Sequence, residues 1–274
     1  MFRHPSLEGR VVIITGGARG LGREMALELA EAGASLVLTA ASQSDAMDET
    51  VAAIAPDRVL AQVADVTDFA ACQRVVKATE AKFGPADVLV NNAGRGMRLI
   101  SETFNTVPTP FWETDPESWR SIIDINVNGA FNMARALAPG MVARGFGKIV
   151  NISTSDQTMV RRGYSPYGPS KAALEAASRV WAQDLSGTGV DLNVYLPGGA
   201  ADTDLLPPSP QKKGADGNLL PASIMRRAIG WLCSDASNGV SGARFIARNW
   251  DPELEPEMAA KASQSQSVER PAIM

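Results

Sequence analysis

Two stretches of the chain combine residue types that could carry out a reaction. Tyr167 and Lys171 lie four residues apart in YGPSK, at the start of a helical stretch, so both fall on one helix face. An ammonium close to a phenol stabilises the phenolate and lowers its pKa. Such a phenol can give a proton to a carbonyl oxygen or take one from an alcohol. Far upstream, the apolar run Val11-Thr15 leads directly into Thr15-Gly16-Gly17-Ala18-Arg19-Gly20-Leu21-Gly22 and then into a helical stretch. Glycines at 16, 20 and 22 permit a tight turn and let the backbone approach a pyrophosphate. The helix that follows offers free N–H groups and a positive dipole end. Strand, glycine turn and helix in that order read as a dinucleotide site, here with the spacing G-x-x-x-G-x-G.

The end of the second apolar run discriminates between dinucleotides. A carboxylate there would accept the adenosine ribose hydroxyls, whereas an arginine would neutralise a 2′-phosphate. Thr39, Ala40, Ala41 and Ser42 carry no acid, and Arg19 sits inside the glycine turn where it could reach that phosphate. NADP is therefore the preferred cofactor, with NAD the alternative if Arg19 only faces solvent.

Composition removes other chemistries. The 274 residues carry 26 Lys+Arg against 30 Asp+Glu, a net charge of -4, without the basic footprint of a nucleic-acid binder. The single histidine, His4, excludes a Ser-His-Asp hydrolase, a His-ligated zinc or iron site and an imidazole base in the body of the chain. Cys72 and Cys233 cannot build a zinc cage and read as small buried hydrophobes in a reducing, cytoplasmic compartment. No metal is expected. No run approaches the ~20 apolar residues of a membrane span, and MFRHPSLEGR holds no apolar signal core.

The elements that must position these groups alternate regularly. Val11-Thr15, Ser35-Thr39, Val59-Val63, Val88-Asn91, Lys148-Ile152, Asp191-Leu196 and Arg244-Ala247 read as strands, apolar on both faces where the signal is strongest. Leu21-Ala32, Ser44-Ile54, Ala70-Phe83, Pro116-Arg144, Ser170-Ser186 and Ser223-Ser234 read as helices. This repetition predicts an α/β fold: a doubly wound parallel sheet of about seven strands with helices on both faces. No linker divides it, so one domain is expected over residues 1–250, with a polar C-terminal tail over 251–274. Arg95-Asp115 and Thr203-Asn218 break the rhythm as long loops, the kind that more often serve function than accident.

In this order the motifs resemble the short-chain dehydrogenase/reductase family, in its single-domain, Rossmann-like branch. The glycine turn, Asp65-Val66, Asn91-Asn92-Ala93-Gly94, Tyr167-Gly168-Pro169-Ser170-Lys171 and Pro197-Gly198 carry the resemblance, which covers roughly residues 7 to 247. It implies an oxidoreductase acting between alcohol and carbonyl. Tyr167 would exchange the proton, Lys171 would hold the nicotinamide ribose, and Asn126 would anchor a water on the proton path. Gly16, Arg19, Gly20, Leu21, Gly22, Ser42, Asp65, Val66, Asn92, Ala93, Gly94, Pro197 and Gly198 would surround the cofactor. A homotetramer or homodimer is also implied.

The chain departs from the family in three places. Where a serine is usual, counting from Asn151 and back from Tyr167 gives Thr154, flanked by Ser153 and Ser155. After Pro197-Gly198 the usual threonine comes one residue late, at Thr203. The glycine-rich ending is replaced by Arg244-Phe245-Ile246-Ala247-Arg248-Asn249-Trp250. Around the expected substrate pocket stand Arg95, Arg98, Arg161 and Arg162, with Tyr164, Phe104, Phe111, Trp112 and Met159 as apolar walls. Two converging arginines would imply an anionic substrate; otherwise they are solvated or bind Glu102, Glu113 or Asp156. The leading expectation is NADPH-dependent reduction of a ketone to a secondary alcohol, reversible in direction. The alternatives are NAD-dependent oxidation of a sugar acid, polyol or cyclic alcohol, and a non-catalytic nucleotide sensor, which would be expected to lose Tyr167 or Lys171.

Overall fold

The computed structural model describes residues 6–208, 212–214 and 217–265. His4 therefore lies outside the described residues, as does the tail beyond Ser265. Seven strands form one sheet: β1 (Val11–Thr15), β2 (Ser35–Ala40), β3 (Val59–Val63), β4 (Val88–Asn91), β5 (Gly147–Ile152), β6 (Val190–Leu196) and β7 (Arg244–Ile246). Every pairing between them is parallel, in the order β3-β2-β1-β4-β5-β6-β7. The chain winds outward from β1 to β3, then returns to place β4 on the other side of β1. That reversal opens a crevice at the carboxyl ends of β1 and β4, where ligands of such sheets bind.

Alternate strand residues feed two cores, as a period of two requires. Val12, Ile14, Leu36, Leu38, Val88 and Val90 pack against helices α1 (Gly20–Glu31), α2 (Asp45–Ala52) and α8 (Arg226–Cys233). Val11, Ile13, Val37, Leu89 and Ile149 face α3 (Phe69–Phe83), α5 (Gly129–Arg144) and α7 (Tyr167–Asp184).

Two expectations change. The stretch expected as one helix from 116 to 144 divides into α4 (Pro116–Ile123), a π turn over Asp124–Asn128 and α5. The widened turn carries the buried Asn126, and π turns gather at functional sites. Residues 251–274 are not uniformly a polar tail: after the short helix α6 (Asp156–Met159) and the elements named above, α9 (Pro256–Ser263) buries Ala259, Ala260 and Ser263. Beyond it Gln264 bridges Phe245 in antiparallel sense, and Ser265 N–H donates to the Arg244 carbonyl at 2.8 Å. Small alanines spaced among Glu, Lys and Ser let this helix dock on the core while the average composition stays polar.

Candidate active site

The crevice is an open cleft of about 1430 Å³, long enough for a dinucleotide and a second small molecule together. Its floor is the glycine turn. Gly16 and Gly20 have φ of 64° and 56°, the left-handed region that favours glycine. A Cβ on Gly22 would lie 2.2 Å from the Gly16 carbonyl oxygen, so no side chain fits there. The turn is braced by the segment after β4. Thr15 Oγ1 accepts hydrogen bonds from the Asn92 and Ala93 N–H groups, both at 3.0 Å. Asn92 Nδ2 donates to the Thr15 and Gly16 carbonyls at 3.0 and 2.9 Å. The Asn92 amide is thus committed to the shape of the turn.

Around that floor the cleft is lined by Leu21, Ser42, Asp65, Val66, Ala93, Gly94, Pro197 and Gly198. Asp65 Oδ1 accepts from the Thr67 N–H at 2.9 Å and the Thr67 hydroxyl at 2.8 Å, which fixes the turn after β3. Thr203 leans over the glycine turn, its Cγ2 3.3 Å from where a Cβ on Gly20 would be. Arg19 stands at the cleft but forms an exposed ion pair with Asp204 at 3.2 Å. An exposed pair of this kind is worth little, so an incoming phosphate can displace it.

At the other end β5 and α7 bring Thr154, Tyr167 and Lys171 to the cleft wall. Lys171 is buried, and its Nζ donates to the Ile152 carbonyl at 2.8 Å. Burial pulls its pKa down to about 8, partly opposed by Glu175 one turn further along α7. Tyr167 shares a hydrogen bond with the Thr154 hydroxyl. Burial pushes the Tyr167 phenol up to about 12, against the Thr154 bond that lowers it, and Tyr164 adds to the rise. The lowering expected from Lys171 is absent: desolvation dominates the phenol, and the ammonium is turned to the Ile152 carbonyl.

The three neighbouring hydroxyls differ in their partners. Ser155 Oγ is paired with Thr158 Oγ1 at 2.9 Å, and Ser153 is buried with its hydroxyl unpartnered, which leaves Thr154 to meet Tyr167. Asn126 accepts the Arg95 N–H at 2.8 Å and donates to the Arg95 carbonyl at 3.0 Å and Ser170 Oγ at 2.9 Å. Both amide hydrogens are thus spent, while Oδ1 keeps a second lone pair.

The arginines separate. Arg98 is spent on Glu102, with Nε and Nη2 each at 2.9 Å, and on the Asp204 carbonyl at 2.8 Å. Arg162 is exposed and does not line the cleft, so neither residue fits the expected substrate role. Arg161 lies over the Tyr164 ring and donates to its hydroxyl at 2.9 Å. Arg95 lines the cleft, is exposed, and its guanidinium has no partner among the described residues. Of the expected apolar walls, Phe104 and Tyr164 meet edge to face with ring centres 5.4 Å apart, whereas Phe111, Trp112 and Met159 lie outside the cleft lining.

Sequence reasoning passed over Arg244 as a site residue. It lines the cleft and bonds Glu175, Asp156 and the Thr154 carbonyl. The signal was available, because a charge in a buried strand requires partners.

The buried Lys171 has a consequence for stability. Its folded pKa of about 8 lies below the unfolded value near 10.5, so burial of its charge costs stability at neutral pH. That cost is fully present below pH 8 and fades as pH rises toward 10.5. Lys171→Met is expected to stabilise the fold at pH 7 by up to about 3 kcal/mol less the lost hydrogen bond, seen as a higher thermal midpoint. Its advantage over the parent chain should shrink through the alkaline range, as read by calorimetry at several pH values.

Residues 10–214 match the family model described as short chain dehydrogenase. A short-chain type dehydrogenase/reductase from Picea abies is 39% identical over 207 residues, 73% of this chain and 73% of that protein. Among solved structures, a gluconate 5-dehydrogenase from Burkholderia cenocepacia in complex with NADP and tartrate aligns with a TM-score of 0.73 and 29% identity, covering 88% of this chain and 94% of its own. A 3-ketoacyl-(acyl-carrier-protein) reductase from Brucella melitensis complexed with NADH gives 0.75 and 28%, covering 87% and 96%. With the sheet order, the braced glycine turn and this coverage, the chain belongs to the short-chain dehydrogenase/reductase family, oxidoreductases that act on CH–OH and C=O groups.

Proposed function

We propose that this protein is an NADPH-dependent carbonyl reductase that converts a ketone to a secondary alcohol and can run in reverse. The reading rests on one observation above all. Thr154, Tyr167 and Lys171 stand at the wall of a cleft whose floor is a glycine turn shaped to meet a pyrophosphate.

The turn fits a dinucleotide because no side chain can occupy Gly22 and the N-terminus of α1 opens directly above it. Gly16, Gly20, Leu21 and Gly22 would hold the phosphates, with Arg19 and Ser42 at the adenosine end beside Asp65 and Val66. Ala93, Gly94, Pro197, Gly198 and Thr203 would surround the nicotinamide half, with Asn92 shaping the turn from behind. When bound, that nicotinamide supplies the hydride. Thr154 and Tyr167 hydroxyls would hold the substrate oxygen, and Tyr167 would donate its proton as that oxygen becomes an alcohol. A phenol held near 12 is protonated at neutral pH, as a donor must be. Lys171, anchored on the Ile152 carbonyl, would bond the ribose.

The absence of an acid from Thr39 to Ser42 supports NADP. One observation favours the second reading, NAD-linked oxidation of a sugar acid, polyol or cyclic alcohol: Arg19 is already paired with Asp204. Unpartnered Arg95 supports an anionic substrate. A cytoplasmic homodimer or homotetramer belongs to the same proposal. Exposed Phe131, Val142 and Val180 on α5 and α7 support the assembly, and no described helix is long and apolar enough to cross a membrane.

Fluorescence titration of the purified chain with NADPH and NADH tests the cofactor. A preference for NADPH of about tenfold or more, lost in Arg19→Ala, is expected, corresponding to ~1.4 kcal/mol. Equal binding transfers the case to the NAD reading. Tyr167→Phe should lower turnover by about 10²–10⁴-fold while leaving cofactor affinity in place, and unchanged turnover overturns the mechanism. In a panel of acetoacetyl-CoA, ethyl acetoacetate and 5-ketogluconate, Arg95→Ala should raise KM about tenfold for an anionic ketone. Arg162→Ala should leave it unaltered. No change with Arg95→Ala removes the anion site.

A further inference from the structure

Arg244 opens β7 at the edge of the sheet, yet its guanidinium gathers three other segments of chain. Nε donates to both carboxylate oxygens of Glu175 on α7, at 3.0 and 3.1 Å. Nη2 donates to the Thr154 carbonyl at 3.0 Å and to Asp156 Oδ1 at 2.5 Å. Nη1 donates to Ser265 Oγ at 3.2 Å. All three nitrogens are therefore engaged, and only 19% of the side chain remains accessible. A planar fork with donors on every nitrogen can bond all these partners at once, whereas a single ammonium would keep the charge beside Glu175 but not every bond.

Two of these partners lead to the reacting groups. Thr154 presents its hydroxyl to Tyr167 while its carbonyl is held by Arg244. Glu175 follows Lys171 by one helical turn and favours its charged form.

We propose that Arg244 is a positioning residue for the reaction: it ties the Thr154 segment to α7 and neutralises Glu175, so that less of the carboxylate's charge reaches Lys171. The proposal rests on the reading of Thr154, Tyr167 and Lys171 given above.

The other charged groups near Lys171 are already engaged or act weakly. Asp124 on the π turn accepts from Asn128, and Asp156 at α6 is held by Arg244 itself. On β5 and β6, Lys148 and Asp191 pair with each other at the opposite end of the sheet from Ile152. Glu175 is the one charge among them that moves Lys171.

The sign follows from charge. Loss of Arg244 leaves Glu175 uncompensated, favours the Lys171 ammonium and raises the pH at which it deprotonates. Loss of Glu175 lowers that pH. A structural loosening of α7 would also raise it, by admitting water, so the double variant decides between the two.

The test is competitive labelling of Lys171 with acetic anhydride in the full-length chain, followed by peptide mass spectrometry across neutral to alkaline pH. Arg244→Met should move the Lys171 midpoint up by about 1 pH unit and Glu175→Gln should move it down. The Arg244→Met, Glu175→Gln double variant should follow Glu175→Gln, and Arg244→Lys should return most of the shift. A double variant whose midpoint still rises, or an Arg244→Met chain with the parent midpoint and an unaltered thermal unfolding curve, overturns the proposal. Should Arg244→Met fail to fold, a Glu175→Gln midpoint that does not fall overturns it alone. The readout needs no turnover, so it stands or fails separately from the result with Tyr167→Phe.

Discussion

Thr15 carries the constraint on which the site depends. Its hydroxyl closes β1 by accepting two backbone N–H bonds from Asn92 and Ala93 across the gap where the strand order reverses. Asn92 returns the connection by donating to the carbonyls of Thr15 and Gly16. A parallel sheet leaves strand ends with unpaired backbone groups, and here those groups bond the Thr15 hydroxyl and the Asn92 amide instead of water. The glycine turn thereby keeps a shape set by β4 as much as by its own residues.

The same device recurs deeper in the fold. Asn91 donates to Asn151 at 2.9 Å, and Asn151 donates to Ser178 at 2.8 Å, so an amide chain runs from β4 through β5 into α7. Asn126 joins the β4 segment to Ser170 on the first turn of α7. Asn91 Oδ1 is left without a partner among the described residues, while the bonds that the two amides do make run across three elements and hold them in one register. The helix that carries Tyr167 and Lys171 is consequently registered against the strands that shape the cofactor floor. Placement of Tyr167 and Lys171 is a property of the network rather than of any one loop.

The sequence showed the sheet, its parallel sense and the glycine turn because these are written in local signals: apolar runs, glycine spacing and helical period. That Thr154 lines the cleft together with Tyr167 was legible too, by counting from two directions. The partners of the arginines were not. Arg98 meets Glu102 within its own segment, but Arg19 finds Asp204 and Arg244 finds Glu175 and Asp156 across distances no periodicity records. The phenol's environment was hidden for the same reason, since burial is a property of the packed molecule. The π turn at Asn126 and the docked helix α9 were concealed by averaging, the one inside a continuous helical pattern, the other inside a polar composition.

The pairing of Gln264 and Ser265 with Phe245 and Arg244 bears on how this protein behaves in a crowd. β7 is a terminal strand, and an open strand edge is a template on which another chain can build. Here the chain's own end occupies part of that row of backbone groups in antiparallel sense. That part of the outermost strand is thereby withheld from pairing with another chain, the edge-to-edge growth that leads to aggregates.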